Sequence, residues 1–119
     1  MEFTFDNNIP IYIQLLEYLK IYLISGVFSP GDKLPSVRDF ANTFKVNPNT
    51  MQKALVELES MQLIYTERTN GKYVTKDKEL IDKLKDEYAM TLARSYFNGM
   101  KKIGLGKSDS IKYLEGINE

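Results

Sequence analysis

Ser36-Val37-Arg38-Asp39-Phe40-Ala41-Asn42-Thr43-Phe44-Lys45-Val46-Asn47-Pro48-Asn49-Thr50-Met51-Gln52-Lys53-Ala54-Leu55-Val56-Glu57-Leu58 is the stretch that decides the fold. Ser36 stands where a helix N-cap is wanted, and Asp39 three residues on supplies a partial capping box. Val37, Phe40, Ala41 and Phe44 then recur at helical spacing and make one buried stripe. Lys45-Val46 is a tight connection. Asn47 as N-cap and Pro48 as first helical residue open another helix. Its apolar face is Met51, Ala54, Leu55 and Leu58. Two short helices joined this closely form a helix-turn-helix pattern.

Toward the C-terminus, Leu63-Ile64-Tyr65-Thr66 and Lys72-Tyr73-Val74-Thr75 read as strands. Thr69-Asn70-Gly71 lies between them, and Asn-Gly is a strong hairpin signal. A hairpin after a helix-turn-helix is the winged form. Toward the N-terminus, Ser29-Pro30-Gly31-Asp32 is a turn and Lys33-Leu34-Pro35 is short and extended. A longer helix precedes them, from about Pro10 to Ser25, with Asn8 as candidate cap and Gly26 as its left-handed terminator. Tyr12, Leu15, Leu16, Leu19, Tyr22 and Leu23 form its stripe. Ile11, Tyr18 and Ile21 fall outside it. Either both sides are buried in one core, or the second side serves a partner.

Past Asp77 the pattern changes. Leu80, Ile81, Leu84, Tyr88, Leu92, Tyr96, Met100 and Ile103 trace a long amphipathic helix, stopped by Gly104-Leu105-Gly106. Ser108 is the candidate cap of a last helix carrying Ile111, Tyr113, Leu114 and Ile117. The expected architecture is mainly α with a small β-hairpin. Residues 1–76 form a winged helix-turn-helix domain, and 77–119 form a two-helix dimerisation tail. The tail is too short for a ligand-binding domain of ordinary size. It suffices for a partner interface through Leu84, Tyr88, Leu92, Tyr96, Met100, Ile111 and Leu114.

Composition narrows the function. The chain has 119 residues, 43% of them hydrophobic, enough for one small core that association would help to stabilise. It contains neither Cys nor His. That removes disulfides and most zinc, haem and thiol chemistry, so no metal and no cofactor is expected. Met1–Asn8 lacks a basic start and an apolar run, so no secretory leader is expected. No apolar run approaches the roughly 20 residues of a membrane span. The expected location is the cytoplasm. Formal net charge is zero, but residues 33–76 hold seven cations against four anions. The positive surplus lies in the helix-turn-helix and wing.

The residues of that segment suit duplex DNA. A recognition helix turns its first turns toward base edges and packs its apolar side inward. The outward set is Asn49, Thr50, Gln52 and Lys53. Asn and Gln pair with adenine, Thr reaches a base or a thymine methyl, and Lys suits a phosphate. Free N–H groups at the helix start add a second phosphate site. Arg38 lies in the helix that crosses the DNA backbone, where it can clamp a phosphate or reach a guanine; its alternative is a salt bridge to Asp39 or Glu57. Arg68, Asn70 and Lys72 flank a wing tip that can enter the minor groove or touch phosphate.

Three strings resemble the GntR family of bacterial repressors: Pro30-Gly31-Asp32-Lys33-Leu34-Pro35-Ser36-Val37-Arg38, Val46-Asn47-Pro48-Asn49-Thr50-Met51-Gln52-Lys53-Ala54-Leu55, and Glu57-Leu58-Glu59 followed by Leu63-Ile64. The resemblance covers roughly residues 9 to 75. The short helical tail is similar to that of the YtrA subfamily. The resemblance implies a winged-helix dimer that binds a palindromic operator and represses a nearby operon, often one encoding an ABC transporter. It also implies that Arg38, Asn47, Asn49, Thr50 and Gln52 occupy DNA-contacting positions, with Gly71 at the wing. The full DNA-facing set is Lys33, Ser36, Arg38, Asn47, Pro48, Asn49, Thr50, Gln52, Lys53, Arg68, Asn70, Gly71 and Lys72. The wing departs from the family's Gly-Lys-Gly-Thr-Phe-Val. It reads Thr69-Asn70-Gly71-Lys72-Tyr73-Val74, so the tip conformation does not carry over.

Two other functions compete. A winged helix that binds protein instead of DNA would need exposed apolar residues on the third helix, whose outward set reads as polar. An enzyme would have to work without His or Cys, and Gly104-Leu105-Gly106 follows a helix where a phosphate loop follows a strand. A small apolar effector between protomers, against Tyr88, Leu92, Tyr96 and Phe97, is a further candidate partner. Plain dimer packing is the simpler use of the same residues.

Overall fold

A computed structural model describes residues 4–119; the first three residues of the Met1–Asn8 stretch lie outside it. The elements are α1 (Ile11–Ile24), α2 (Val37–Phe44), α3 (Pro48–Ser60), β1 (Ile64–Glu67), β2 (Gly71–Val74), α4 (Lys78–Lys102) and α5 (Lys107–Glu115). The chain forms two compact units that divide between Asp82 and Lys83, within the helix that the sequence reading assigned wholly to 77–119. Ile81, in the first turns of α4, is buried and stays with the first unit.

The first unit is built on α1 packed against α3, with α2 also against α3. Leu15, Leu19 and Leu23 of α1 meet a core made with Phe40, Phe44, Met51, Leu55, Leu58, Ile64 and Val74, all buried. A fully buried side chain of this size contributes about 1.5–3 kcal/mol. Phe44 is the hub of an aromatic cluster, with ring centroids 6.3 Å from Tyr18, 5.8 Å from Tyr22 and 6.1 Å from Phe40. Burial, and secondarily Tyr18, hold the Tyr22 phenol above its ordinary pKa. Of the three off-stripe residues of α1, Tyr18 joins this cluster, while Ile11 and Ile21 are exposed.

Three local expectations are corrected. Asn8 does not cap α1: the N-cap is Pro10, which has no side chain to do it. The Gln14 amide instead ties the preceding chain to the helix, accepting from the Asp6 N–H at 2.7 Å and donating to the Asp6 and Ile9 carbonyls. The hairpin loop is not Thr69-Asn70-Gly71 but begins one residue earlier. Glu67 pairs with Gly71, so Arg68, Thr69 and Asn70 form the loop. Gly71 closes it at φ +102°, a left-handed value that favours glycine. Ser108 does not cap α5, whose N-cap is Gly106, two residues earlier.

Lys33-Leu34-Pro35 is extended, as expected, and forms a bridge to β2. Lys33 pairs with Tyr73, and the Leu34 N–H donates to the Lys72 carbonyl at 2.9 Å. The hairpin is thereby held to the chain just before α2. In the second unit, the Tyr96 hydroxyl donates to the Ser110 carbonyl at 2.7 Å, and the Ser110 hydroxyl donates to the Gly106 carbonyl. The first bond holds α5 against α4, and the second lies within the first turn of α5. Gly104 ends α4 at φ +86°.

Candidate nucleic-acid interface

The two helix starts that frame the site are capped as their sequence requires. Ser36 Oγ accepts from the Asp39 N–H at 3.1 Å. Asn47 Oδ1 accepts from the Asn49 N–H at 2.8 Å, and Pro48 occupies the first helical position. Ser36 and Asn47 therefore spend a side-chain oxygen on the backbone. Lys45 turns the chain between the helices in the left-handed conformation, at φ 58°.

Met51, Ala54, Leu55 and Leu58 are buried, which leaves Asn49, Gln52 and Lys53 on the exposed side of α3 and Thr50 at its margin. Sequence reasoning missed one member of this face. Val56, one turn beyond Gln52, is 53% exposed. Its position seven residues after Asn49 was the available signal, because residues at that spacing share a face. The face is thus polar at its N-terminal end and carries one branched apolar group further along.

Lys53 does not extend freely into solvent. Its ammonium sits 3.8 Å from the centroid of the Tyr12 ring in α1. Arg38 is exposed, and among the described residues it forms no ion pair, so the bridges to Asp39 or Glu57 are absent.

The wing separates the remaining cations. Arg68 and Asn70 lie in the exposed loop. Lys72 points elsewhere: its ammonium lies 3.5 Å from Glu59 Oε1 and 3.0 Å from Thr66 Oγ1, and its side chain is only 18% exposed. Thr66 also donates to Glu59. Lys72 thus fastens the hairpin to the end of α3. Lys33 runs alongside Gly71, where an added Cβ would lie 3.7 Å from its Cε. On the other face of the hairpin, Tyr65 and Tyr73 stack with centroids 5.7 Å apart.

In the second unit, Leu92, Ile111 and Leu114 are exposed, Leu92 to 70%, while Leu84, Tyr88 and Met100 are half-buried. Tyr96 commits its hydroxyl to Ser110 inside the unit. An open groove of about 260 Å³ between α4 and α5 is lined by Met90, Tyr96, Phe97, Ile111 and Leu114, among others. Of the residues expected around an apolar effector, Tyr96 and Phe97 line this groove, whereas Tyr88 and Leu92 do not. No helix among the described residues is long and apolar enough to cross a membrane. Nor does any group of acidic side chains among them form a metal site.

The arrangement has counterparts of known family. The model of the bacterial regulatory proteins, gntR family, matches residues 11–74. The HTH-type transcriptional regulator YhcF of Bacillus subtilis is 34% identical over 119 residues, all of this chain and 98% of that protein. The HTH-type transcriptional repressor YtrA of the same species is 42% identical over 71 residues, 60% of this chain and 55% of that protein. Among solved structures, a GntR family transcriptional regulator from Listeria monocytogenes superimposes with a TM-score of 0.86 at 38% identity, covering 96% of this chain and 100% of that one. The DNA-binding domain of AraR, in complex with operator ORR3, gives a TM-score of 0.53 at 26% identity, covering 62% of this chain and 96% of that one. The family match over most of the winged helix, together with a relative aligned along the whole chain, makes this protein a member of the gntR family, a DNA-binding transcriptional regulator and not an enzyme.

Proposed function

We propose that the protein is a homodimeric repressor that binds a palindromic operator and controls a neighbouring operon, with one encoding an ABC transporter as the first target to examine. The observation that carries this reading is the exposed face of α3. Asn49 and Gln52 stand on it, behind a capped helix start and above a fully buried opposite face. Asn49 and Gln52 read base edges in the major groove, and Thr50 and Val56 are suited to thymine methyl groups. Arg38, Lys53 and the Thr50 N–H, the one first-turn N–H of α3 left beside the Asn47 cap and Pro48, engage phosphates. Ser36 serves this interface as the cap of α2. At the wing, Arg68 and Asn70 reach the DNA, and Lys33 supports Gly71 from behind. Lys72 contributes by fixing the hairpin's position.

Residues 77–119 supply dimerisation. Leu92, Ile111 and Leu114 are exposed apolar groups that a second protomer covers. Tyr96 shapes that surface from inside. Leu84, Tyr88 and Met100 complete it. The α4–α5 groove belongs to the same protomer contact and not to an effector. A two-fold dimer places its recognition helices about 34–36 Å apart, one turn of the duplex. The cytoplasm, where such an operator lies, is the working compartment.

The test is selection from random duplex DNA by the full chain, with Arg38→Ala as control. An enriched inverted repeat that the variant fails to enrich supports the reading. A single unrepeated half-site refutes the dimer, and no enrichment at low salt refutes operator binding.

A further inference from the structure

Tyr12 carries no role in DNA binding by its position in the sequence: it lies on the apolar stripe of α1, far from the helix-turn-helix. The fold brings it to α3. Its ring is half-buried, and the Lys53 ammonium sits over it at 3.8 Å from the centroid. Lys53 is one residue beyond Gln52 on the exposed side of α3. Neither of the ion pairs formed by described residues involves Lys53, so no carboxylate competes with the ring for its charge.

We propose that Tyr12 is a positioning residue for DNA binding, and that its ring holds the Lys53 ammonium where it meets a backbone phosphate at the edge of the recognition helix. The physical basis is the lysine's freedom. A free lysine stem samples many rotamers, and ordering it on the DNA costs entropy. A ring that already holds the ammonium meets part of that cost before binding. A cation over a ring also keeps its donors on the side away from the ring, so it can hydrogen-bond a phosphate without leaving it. Tyr12 thus acts through Lys53, and its effect is the same for every operator sequence, because a phosphate carries no base information.

This inference rests on Lys53 meeting a phosphate in the reading above, and the experiment separates the two. The affinity of the full-length protein for its selected operator is measured against salt concentration for Lys53→Ala, Tyr12→Phe, Tyr12→Leu and the double variant Tyr12→Leu/Lys53→Ala. Lys53→Ala is expected to lower the magnitude of the log–log salt slope by about one. Tyr12→Phe keeps the ring and should match the wild type. Tyr12→Leu should weaken binding by about two- to fivefold on every sequence, the worth of an exposed cation–π contact. The double variant should bind no worse than Lys53→Ala alone. An upfield ring-current shift of the Lys53 side-chain protons in the free protein, lost in Tyr12→Leu, reports the contact without DNA, and a dispersed amide spectrum matching the wild type elsewhere shows that the variant is folded. Additive losses in the double variant, or a folded Tyr12→Leu with wild-type affinity, overturn the role of Tyr12. An unchanged salt slope in Lys53→Ala overturns the phosphate contact itself, while loss of all operator binding by the wild type overturns the operator reading.

Discussion

The ammonium of Lys72 lies 3.5 Å from the carboxylate of Glu59, so the second strand of the wing is tied to the last turns of the recognition helix. This pair makes opposite predictions for two roles of Lys72. If Lys72 fixes the wing, Glu59→Gln and Lys72→Met both weaken operator binding. If Lys72 were a phosphate contact restrained by Glu59, Glu59→Gln would release it and strengthen binding. The account predicts weakening in both variants, measured by fluorescence anisotropy. Because Glu59 is well exposed, the pair's effect on stability is small, about 0–1 kcal/mol.

The caps of the two helices are predicted to matter for folding before they matter for DNA. Ser36→Ala and Asn47→Ala each remove an oxygen that accepts from a backbone N–H. Each should lower unfolding free energy by about 1 kcal/mol in urea titrations. A change near zero would mean that solvent replaces the cap without loss.

Gly71→Ala is predicted to destabilise the wing by roughly 1–3 kcal/mol. The cause is backbone strain at φ +102°, because the space for a Cβ is adequate. A thermal melt of the variant checks this. An unchanged midpoint would show that the hairpin relaxes to another loop at no cost.

Much of this was legible in the sequence. The helix-turn-helix needed only Ser36, Asn47, Pro48 and two apolar stripes, because caps and periodicity act over a single helical turn. Contacts between distant residues were not legible. Nothing local to Lys53 points to Tyr12, and nothing local to Lys72 points to Glu59. The hairpin loop was placed one residue late because Asn70-Gly71 is a turn signal by itself, whereas Gly71 pairs with Glu67 in the ladder. The observed register pairs Ile64 with Val74, both buried in the core, and with that pairing the loop holds three residues. Val56 was passed over because an isolated valine reads as core until the helix is oriented.

Val56 yields a prediction for the bases. If it touches a thymine methyl, replacing that thymine with deoxyuridine should weaken wild-type binding and leave Val56→Ala unaffected. The loss expected for one apolar group is about three- to fourfold, the equivalent of roughly 0.8 kcal/mol. Equal loss in both proteins would remove Val56 from the reading face.

If the long helix α4 is the protomer contact proposed above, Leu92→Glu should break the dimer, because it places a charge on an apolar contact surface. Sedimentation velocity at micromolar concentration should find a monomer. A variant that stays dimeric would assign the protomer contact to another surface.

The most direct measurement repeats the random-duplex selection with Asn49→Ala and Gln52→Ala and compares the motifs position by position. The account predicts that each variant loses its preference at one position in each half-site, symmetrically, and keeps the rest. Motifs identical to that of the wild type, with affinity lowered uniformly, would contradict base reading by α3.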